Sequence, residues 1–166
     1  MSGTNLHILT LDRTDLRILA FLQAHGRASN LELAQAVNLS PSQALRRHRR
    51  LEEAGVIRGY DTRLDAAALG LGVVAFVHVA MDKGHIGQLR RFTQAVRELA
   101  AVQECFSVTG DFDYVLKVVE RDLKSLSRFL MDTLMALPGV SSVRSSVCLD
   151  EIKQTSALPL VVPGRG

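Results

Sequence analysis

Tryptophan is missing from the 166 residues, tyrosine occurs twice and phenylalanine six times. A core must therefore be aliphatic, built from leucine and valine. Cysteine is scarce: Cys105 and Cys148 are the two present, too few and too far apart for a disulfide scaffold or a zinc site. Free, buried thiols in a reducing compartment are expected, with no metal or other cofactor. A long apolar run is lacking too. The longest, Leu69–Met81, contains His78 and two glycines and falls short of the ~18–20 residues a membrane helix needs. Met1–Leu11 has no basic start, and Leu6–Leu11 is too short for the apolar segment of a secretion signal. A cytoplasmic protein without a membrane partner is the expectation. Apolar residues make up 47% and charged residues 22%, which argues against disorder over most of the length.

Lysine is absent from residues 1–63, yet that stretch is the basic one. It holds nine arginines against six carboxylates, whereas residues 64–166 balance eleven against eleven. The whole net charge of +3 lies in the first part of the chain, and four of its arginines fall within Arg46–Arg50. A basic patch on a near-neutral body points to a nucleic acid or another polyanion, with a solvated helix face as the plain alternative.

The first 60 residues read as three short helices. Asp12 caps a helix with Leu16, Leu19, Ala20 and Leu22 on its apolar face, ending near Gly26. Ser29 with Glu32 is a capping box that opens a second helix carrying Leu33, Ala34 and Val37 inward. Ser40-Pro41-Ser42-Gln43 repeats the logic, with proline at the first helical position, for a third helix that runs to about Glu53 and stops at Gly55. Only Val37 to Ser40 separates the second and third helices, a helix-turn-helix spacing. Val56 to Leu64 reads as a small hairpin or extended wing.

Residues 64–72 form the expected linker, and the rhythm then changes. Val73–Val79 is β-branched; Ile86–Ala100 has helical spacing through Ile86, Leu89, Val96 and Leu99. Val102–Thr109 and Tyr114–Val119 read as strands around Gly110-Asp111-Phe112-Asp113. Asp122 caps a helix with Leu123, Leu126, Leu130, Leu134 and Leu137, stopped by Pro138-Gly139, and Val140–Leu149 is a last strand. The order predicts an α+β protein: a three-helix, winged helix-turn-helix domain over residues 1–63 and a ferredoxin-like βαββαβ domain over 73–154, with 155–166 as a tail. Both helices of that pattern cover one sheet face. Since Val73–Val79 and Val115–Val119 are apolar on both alternating faces, apart from His78 and Lys117, the other face needs a second cover. Self-association through it, as a dimer at least, is expected.

The third helix carries the candidate nucleic-acid contacts. Leu45, position 48 and Leu51 are expected to face the core, while Ser42, Gln43, Arg46, Arg47 and Arg50 occupy the opposite face. Arginine pairs bidentately with guanine, glutamine with adenine, and serine or arginine with phosphate. The helix N-terminus at Ser40 adds free N–H groups for a phosphate oxygen.

Leu11-Asp12-Arg13-x-Asp15, Gly26-Arg27, Leu39-Ser40-Pro41, Arg47-x-Arg49-Arg50-Leu51-Glu52 and Gly55-x-Ile57-x-Gly59-Tyr60 resemble the helix-turn-helix half of Lrp/AsnC (feast/famine) regulators. Gln103-Glu104-Cys105, Gly110-Asp111-Phe112-Asp113-Tyr114, Leu137-Pro138-Gly139-Val140 and Glu151-Ile152-Lys153-Gln154 resemble their effector-binding half. The likeness runs from about Leu11 to Gln154 and is greatest to the leucine-responsive members. It implies a transcription regulator that binds double-stranded DNA, dimers joined through the ferredoxin-like domains that assemble into tetramers or octamers, and a nucleoid-associated location. It also implies an amino-acid effector near Thr109, Gly110, Asp111, Phe112, Asp113 and Tyr114, and near Pro138, Gly139 and Val140. A glycine there lets the backbone approach a ligand, N–H groups take a carboxylate, and Asp111 or Asp113 takes an ammonium. Four positions depart from the family pattern: His48 replaces an aliphatic, Arg46 stands where an acid is common, and Ser107 and Ser146 replace bulkier residues.

Two other readings stay open on the sequence. One is a nucleoid-architectural protein that binds DNA without an effector. The other is a tetrapyrrole-processing enzyme of the same fold, against which His7, His25, His48, His78 and His85 are scattered without metal-ligand spacing. No nucleophile motif or phosphate loop supports catalysis.

Overall fold

Capping boxes set where each of the first three helices begins. A computed structural model describes residues 10–82 and 86–160; His7, His85 and the side chain of Ile86 lie outside the described residues. Helix α1 (Arg13–Ala24) starts with Asp12 and Asp15 each accepting the other's backbone N–H. Ser29 and Glu32 do the same for α2 (Asn30–Val37), and Ser40 and Gln43 for α3 (Pro41–Glu53). Asn38 ends α2 in the left-handed conformation, at φ 57°, which asparagine tolerates better than most residues.

Ile18, Leu19, Leu22, Leu33, Ala34, Val37, Ala44 and Leu51 form the N-terminal core. The inward residues of α3 are thus Ala44 and Leu51, seven apart on one stripe, and Leu45 is only half-buried. The small Ala44 side chain lets α3 lie close on its neighbours. A further buried residue was not anticipated: Asp15 is fully enclosed. No strand forms between Val56 and Leu64, so of the two expected forms the hairpin is absent and the segment is irregular chain. Val56 and Ile57 direct their N–H groups to the Leu51 carbonyl, and Tyr60 reaches back to α3 instead of pairing with another strand.

The second unit contains β1 (Val73–Met81), α4 (Ile86–Glu98), β2 (Val102–Ser107), β3 (Tyr114–Glu120), α5 (Leu123–Arg128) and β4 (Val140–Val147). The strands form one antiparallel sheet in the order β2-β3-β1-β4, the ferredoxin-like arrangement. Helix α5 does not stay α-helical to Leu137 but widens into a π-helical segment, Phe129–Leu134. The wider turn brings Phe129 and Leu134, five residues apart, onto the same inward side, and both are buried. On the helix-covered face Phe92, Val96, Leu126, Phe129 and Leu134 pack against Ala75, Val77, Val79, Leu116 and Val118. Leu89 and Leu123, expected inward, are exposed instead.

Within this unit, among the described residues, no helix covers the other sheet face. Strand register places Phe106, Val115, His78 and Arg144 in one row, and Glu104, Lys117, Phe76 and Ser146 in the next. Phe76 is 44% exposed and Phe106 56%. Cys105 is exposed and Cys148 half-buried, both as free thiols; the expected burial fails for Cys105 because β2 is an edge strand.

The chain divides into two compact units, one reaching Thr62 and taking in the tail from Gln154, the other Arg63–Lys153. The tail rejoins α1 through Gln23, whose amide donates to the Leu158 carbonyl at 3.1 Å and accepts the Leu158 N–H at 2.6 Å. Leu160 packs on the N-terminal core. Among the described residues no helix is long and apolar enough to cross a membrane.

Candidate nucleic-acid interface and effector site

Helix α3 offers two kinds of arginine. Arg46 and Arg49 are exposed, and among the described residues neither is held by an ion pair. They share a stripe with Ser42 and Glu53, since positions 42, 46, 49 and 53 recur at helical spacing. Arg47 and Arg50 turn toward α1. Arg47 Nη1 lies 2.7 Å from Asp12 Oδ2 and 2.8 Å from Asp15 Oδ1, and Arg50 Nη2 lies 2.5 Å from Asp15 Oδ2. The hydrogen bonds to Asp12 and Asp15 raise the Arg47 pKa further, so it is always charged. Partial burial pushes the Asp12 carboxyl up, but the Asp15 N–H and the Arg47 guanidinium more than offset this and hold it below the ordinary value.

The expected contact residues therefore separate. Ser42 and Arg46 are exposed. Ser40 and Gln43 are engaged with each other: Gln43 Oε1 accepts the Ser40 N–H at 3.2 Å and its hydroxyl at 3.1 Å. A glutamine in that state does not present oxygen and nitrogen together to an adenine edge. Arg47 and Arg50 are internal partners before they are anything else. Arg49 is missing from the expected set, although the 42-46-49-53 spacing alone puts it on the exposed stripe.

His48 is half-buried at the edge of the N-terminal core. Its Nε2 lies 2.5 Å from the Tyr60 hydroxyl, which donates to Glu52 Oε1 at 3.1 Å. Burial, then the Glu52 carboxylate, pushes the Tyr60 phenol up to about 12. His48 thus ties α3 to the segment that follows it. The other described histidines are dispersed. His25 stacks on Phe21 with ring centroids 4.5 Å apart, and His78 meets Phe112 at 5.2 Å. Among the described residues no group of three or more His, Cys, Asp or Glu side chains could hold a metal ion.

In the second unit the two segments expected to bind an effector meet at one end of β1. Asp113 donates its N–H to the Val79 carbonyl at 2.9 Å and accepts the Met81 N–H on Oδ2 at 2.7 Å. On the other side Asp82 donates to the Gly139 carbonyl at 2.8 Å. Gly110 has φ 118° and Gly139 φ 82°, conformations that glycine adopts without strain. A side chain at position 139 would collide with Gln88, whose Oε1 and Cβ lie 2.8 and 2.9 Å from the site of a Cβ. Phe112 folds onto the uncovered sheet face between His78 and Arg144, with the Arg144 guanidinium 5.4 Å from its ring centre.

Thr109, Gly110, Asp111 and Asp113 are exposed, as is Pro138, and Val140 is half-buried. Tyr114 points the other way: it is 9% exposed in the core against Phe92, and burial raises its phenol pKa. Ser107 pairs with Tyr114 and Ser146 with Phe76, so the two small residues lie on opposite sheet faces.

A capped helix-turn-helix with an exposed arginine stripe, joined to a ferredoxin-like unit, defines the class of two-domain DNA-binding transcription regulators. The chain matches the winged helix-turn-helix DNA-binding family over residues 11–58 and the Lrp/AsnC ligand binding domain over 74–158. It is 42% identical over 148 residues to the leucine-responsive regulatory protein of Escherichia coli K12, covering 89% of this chain and 90% of that one. The crystal structure of a transcriptional regulator from Neisseria meningitidis in complex with L-Met superposes with a TM-score of 0.88 at 42% identity, covering 92% of this chain and 98% of that one. An AsnC family transcriptional regulator from Agrobacterium tumefaciens gives 0.86 at 34% identity, covering 90% and 97%. The protein belongs to the Lrp/AsnC family of transcription regulators, a regulatory and not an enzyme family. It is a DNA-binding regulator of the effector-responsive type.

Proposed function

We propose that the N-terminal unit reads DNA through Ser42, Arg46 and Arg49 of α3, and that the second unit holds an amino acid at the end of β1. The observation that carries this reading is the convergence of Gly110–Asp113 and Gly139 on Val79–Asp82. Asp113 Oδ1 and the neighbouring Asp111 offer acceptors for an ammonium, and the glycine-lined backbone offers N–H groups for a carboxylate. The L-Met bound by the Neisseria relative supports an amino acid as the ligand class.

Assembly supplies the regulation. The uncovered sheet face with Phe76 and Phe106 is closed by a second copy of the chain, giving a dimer that builds to a tetramer or octamer. A dimer presents two recognition helices to half-sites about one or more helical turns apart. An amino acid that favours one assembly over another changes how many helices engage one stretch of DNA. On this reading the protein works in the cytoplasm, on the nucleoid.

The test is fluorescence anisotropy on DNA from just upstream of the protein's own gene and on scrambled DNA, with and without a panel of amino acids. Preference for the upstream DNA, altered by at least one amino acid, is the expected result. DNA binding that no amino acid changes leaves an architectural protein; equal binding to both DNAs removes sequence-specific regulation.

A further inference from the structure

Resting on the DNA-binding reading of α3, we propose that Asp12 and Asp15 are positioning residues that withhold Arg47 and Arg50 from DNA phosphates. They thereby set how much of the binding is independent of sequence.

The geometry is a shared anchor. The enclosed Asp15 carboxylate receives the Asp12 N–H at 3.1 Å, Arg47 at 2.8 Å and Arg50 at 2.5 Å. Asp12, with half of its side chain exposed, takes the same Arg47 nitrogen at 2.7 Å. Two arginines three residues apart on α3 are thus pinned to the first turn of α1. That fixes the rotation of the recognition helix about its own axis, which decides which side chains face a groove.

The electrostatic consequence follows from the same contacts. Two carboxylates balance two guanidiniums, so these four groups add nothing to the positive charge of the face. The half-exposed Asp12 carboxylate keeps a negative charge beside Arg47, where it repels a phosphate that approaches that guanidinium. Arg46 and Arg49 make no ion pair among the described residues, although Glu53 lies one turn from Arg49 on the same stripe. Counterion release counts cations that are free to neutralise phosphate. Arg46 and Arg49 are counted; Arg47 and Arg50 are held back.

The experiment measures affinity for upstream and scrambled DNA across a series of salt concentrations. Asn replaces Asp well as a helix cap, so Asp12→Asn removes the charge and keeps the fold. The slope of log affinity against log salt should steepen in this variant, by ~0.9 for each phosphate newly contacted. Scrambled DNA should bind more tightly at low salt, and the ratio of upstream to scrambled affinity should fall. Asp15→Asn should move further in the same direction where it folds, and Asp12→Asn decides alone where it does not. In the wild-type background Arg49→Ala should lower the slope by ~0.9 and Arg47→Gln should barely change it. A loss of folded protein scales affinity equally at every salt concentration, so destabilisation does not imitate the effect. An unchanged or shallower slope in Asp12→Asn overturns the proposal, as does an Arg47→Gln effect equal to that of Arg49→Ala. Wild-type binding indifferent to both sequence and salt would instead overturn the DNA-binding reading itself.

Discussion

The carboxylate of Asp113 accepts the backbone N–H of Met81 at 2.7 Å, so the acid proposed to take an ammonium also holds the end of a core strand. The two roles separate by substitution. Asp113→Asn keeps an oxygen for Met81 and should melt near the wild type, while losing the charge-assisted bond to an amino acid, a contact of ~1.5–3 kcal/mol or roughly 10–100-fold in affinity. Asp113→Ala should also destabilise the unit by about 1–3 kcal/mol, because the Met81 N–H loses its partner. Thermal melts with an amino-acid panel read both effects. A full response in Asp113→Asn would show that the ammonium lies elsewhere.

Phe76 and Phe106 stand exposed on the sheet face opposite α4 and α5. The double variant Phe76→Lys, Phe106→Lys should sediment as a folded monomer where the wild type sediments as a dimer or larger. Each ring removed from an interface costs ~1.5–3 kcal/mol of burial, enough to weaken assembly by about 10–100-fold per substitution. A wild type that is itself a stable monomer at micromolar concentration ends the assembly model.

Stability should fall at both ends of the pH range, for different reasons. Hydrogen bonds from the backbone and hydroxyl of Ser29 lower the Glu32 pKa, and those of Ser125 lower the Asp122 pKa; net of its burial, Asp12 is lowered as well. Lowered carboxyls contribute stability above the ordinary carboxylate range, and that contribution is lost as pH drops through their folded values. Denaturant midpoints should therefore decline as pH falls below about 4. Tyr60, pushed up to about 12, behaves in the opposite sense, its contribution being lost as pH rises from about 10 through 12. With only two tyrosines in the chain, an absorbance titration resolves this directly. Glu52→Gln should bring one phenol down and leave the other in place.

The clasp between Gln23 and Leu158 predicts that the tail is held by a side chain. Gln23→Ala removes both hydrogen bonds and should cost about 1–2 kcal/mol in closing free energy for this segment, since each is an exposed neutral bond. Hydrogen exchange at the Leu158 amide should accelerate roughly 5–30-fold. An unchanged rate would mean that Leu160 alone keeps the tail in place.

Local chemistry was open to reading and distant pairing was not. Ser29 with Glu32, and Ser40 with Gln43, are three residues apart, so backbone geometry alone brings each pair together and the helix starts could be read directly. Alternation and helical spacing likewise gave the order of strands and helices, and the Gly110–Asp113 loop was visible from its composition. The same arithmetic could have found Arg49, which was overlooked. It could not have found that Asp15 is enclosed. That acid looks like an ordinary first-turn carboxylate until α3 delivers Arg47 and Arg50, 32 and 35 residues away in the chain. The π-helical segment at Phe129–Leu134 was equally hidden, because an α-helical reading of the leucine spacing is self-consistent until the sheet demands both Phe129 and Leu134. By itself the sequence determined the family, the element order and the turn chemistry, since these rest on neighbours along the chain. Only the tertiary structure decided which arginines of α3 are ion-paired, because those pairs depend on which faces of two distant helices pack together.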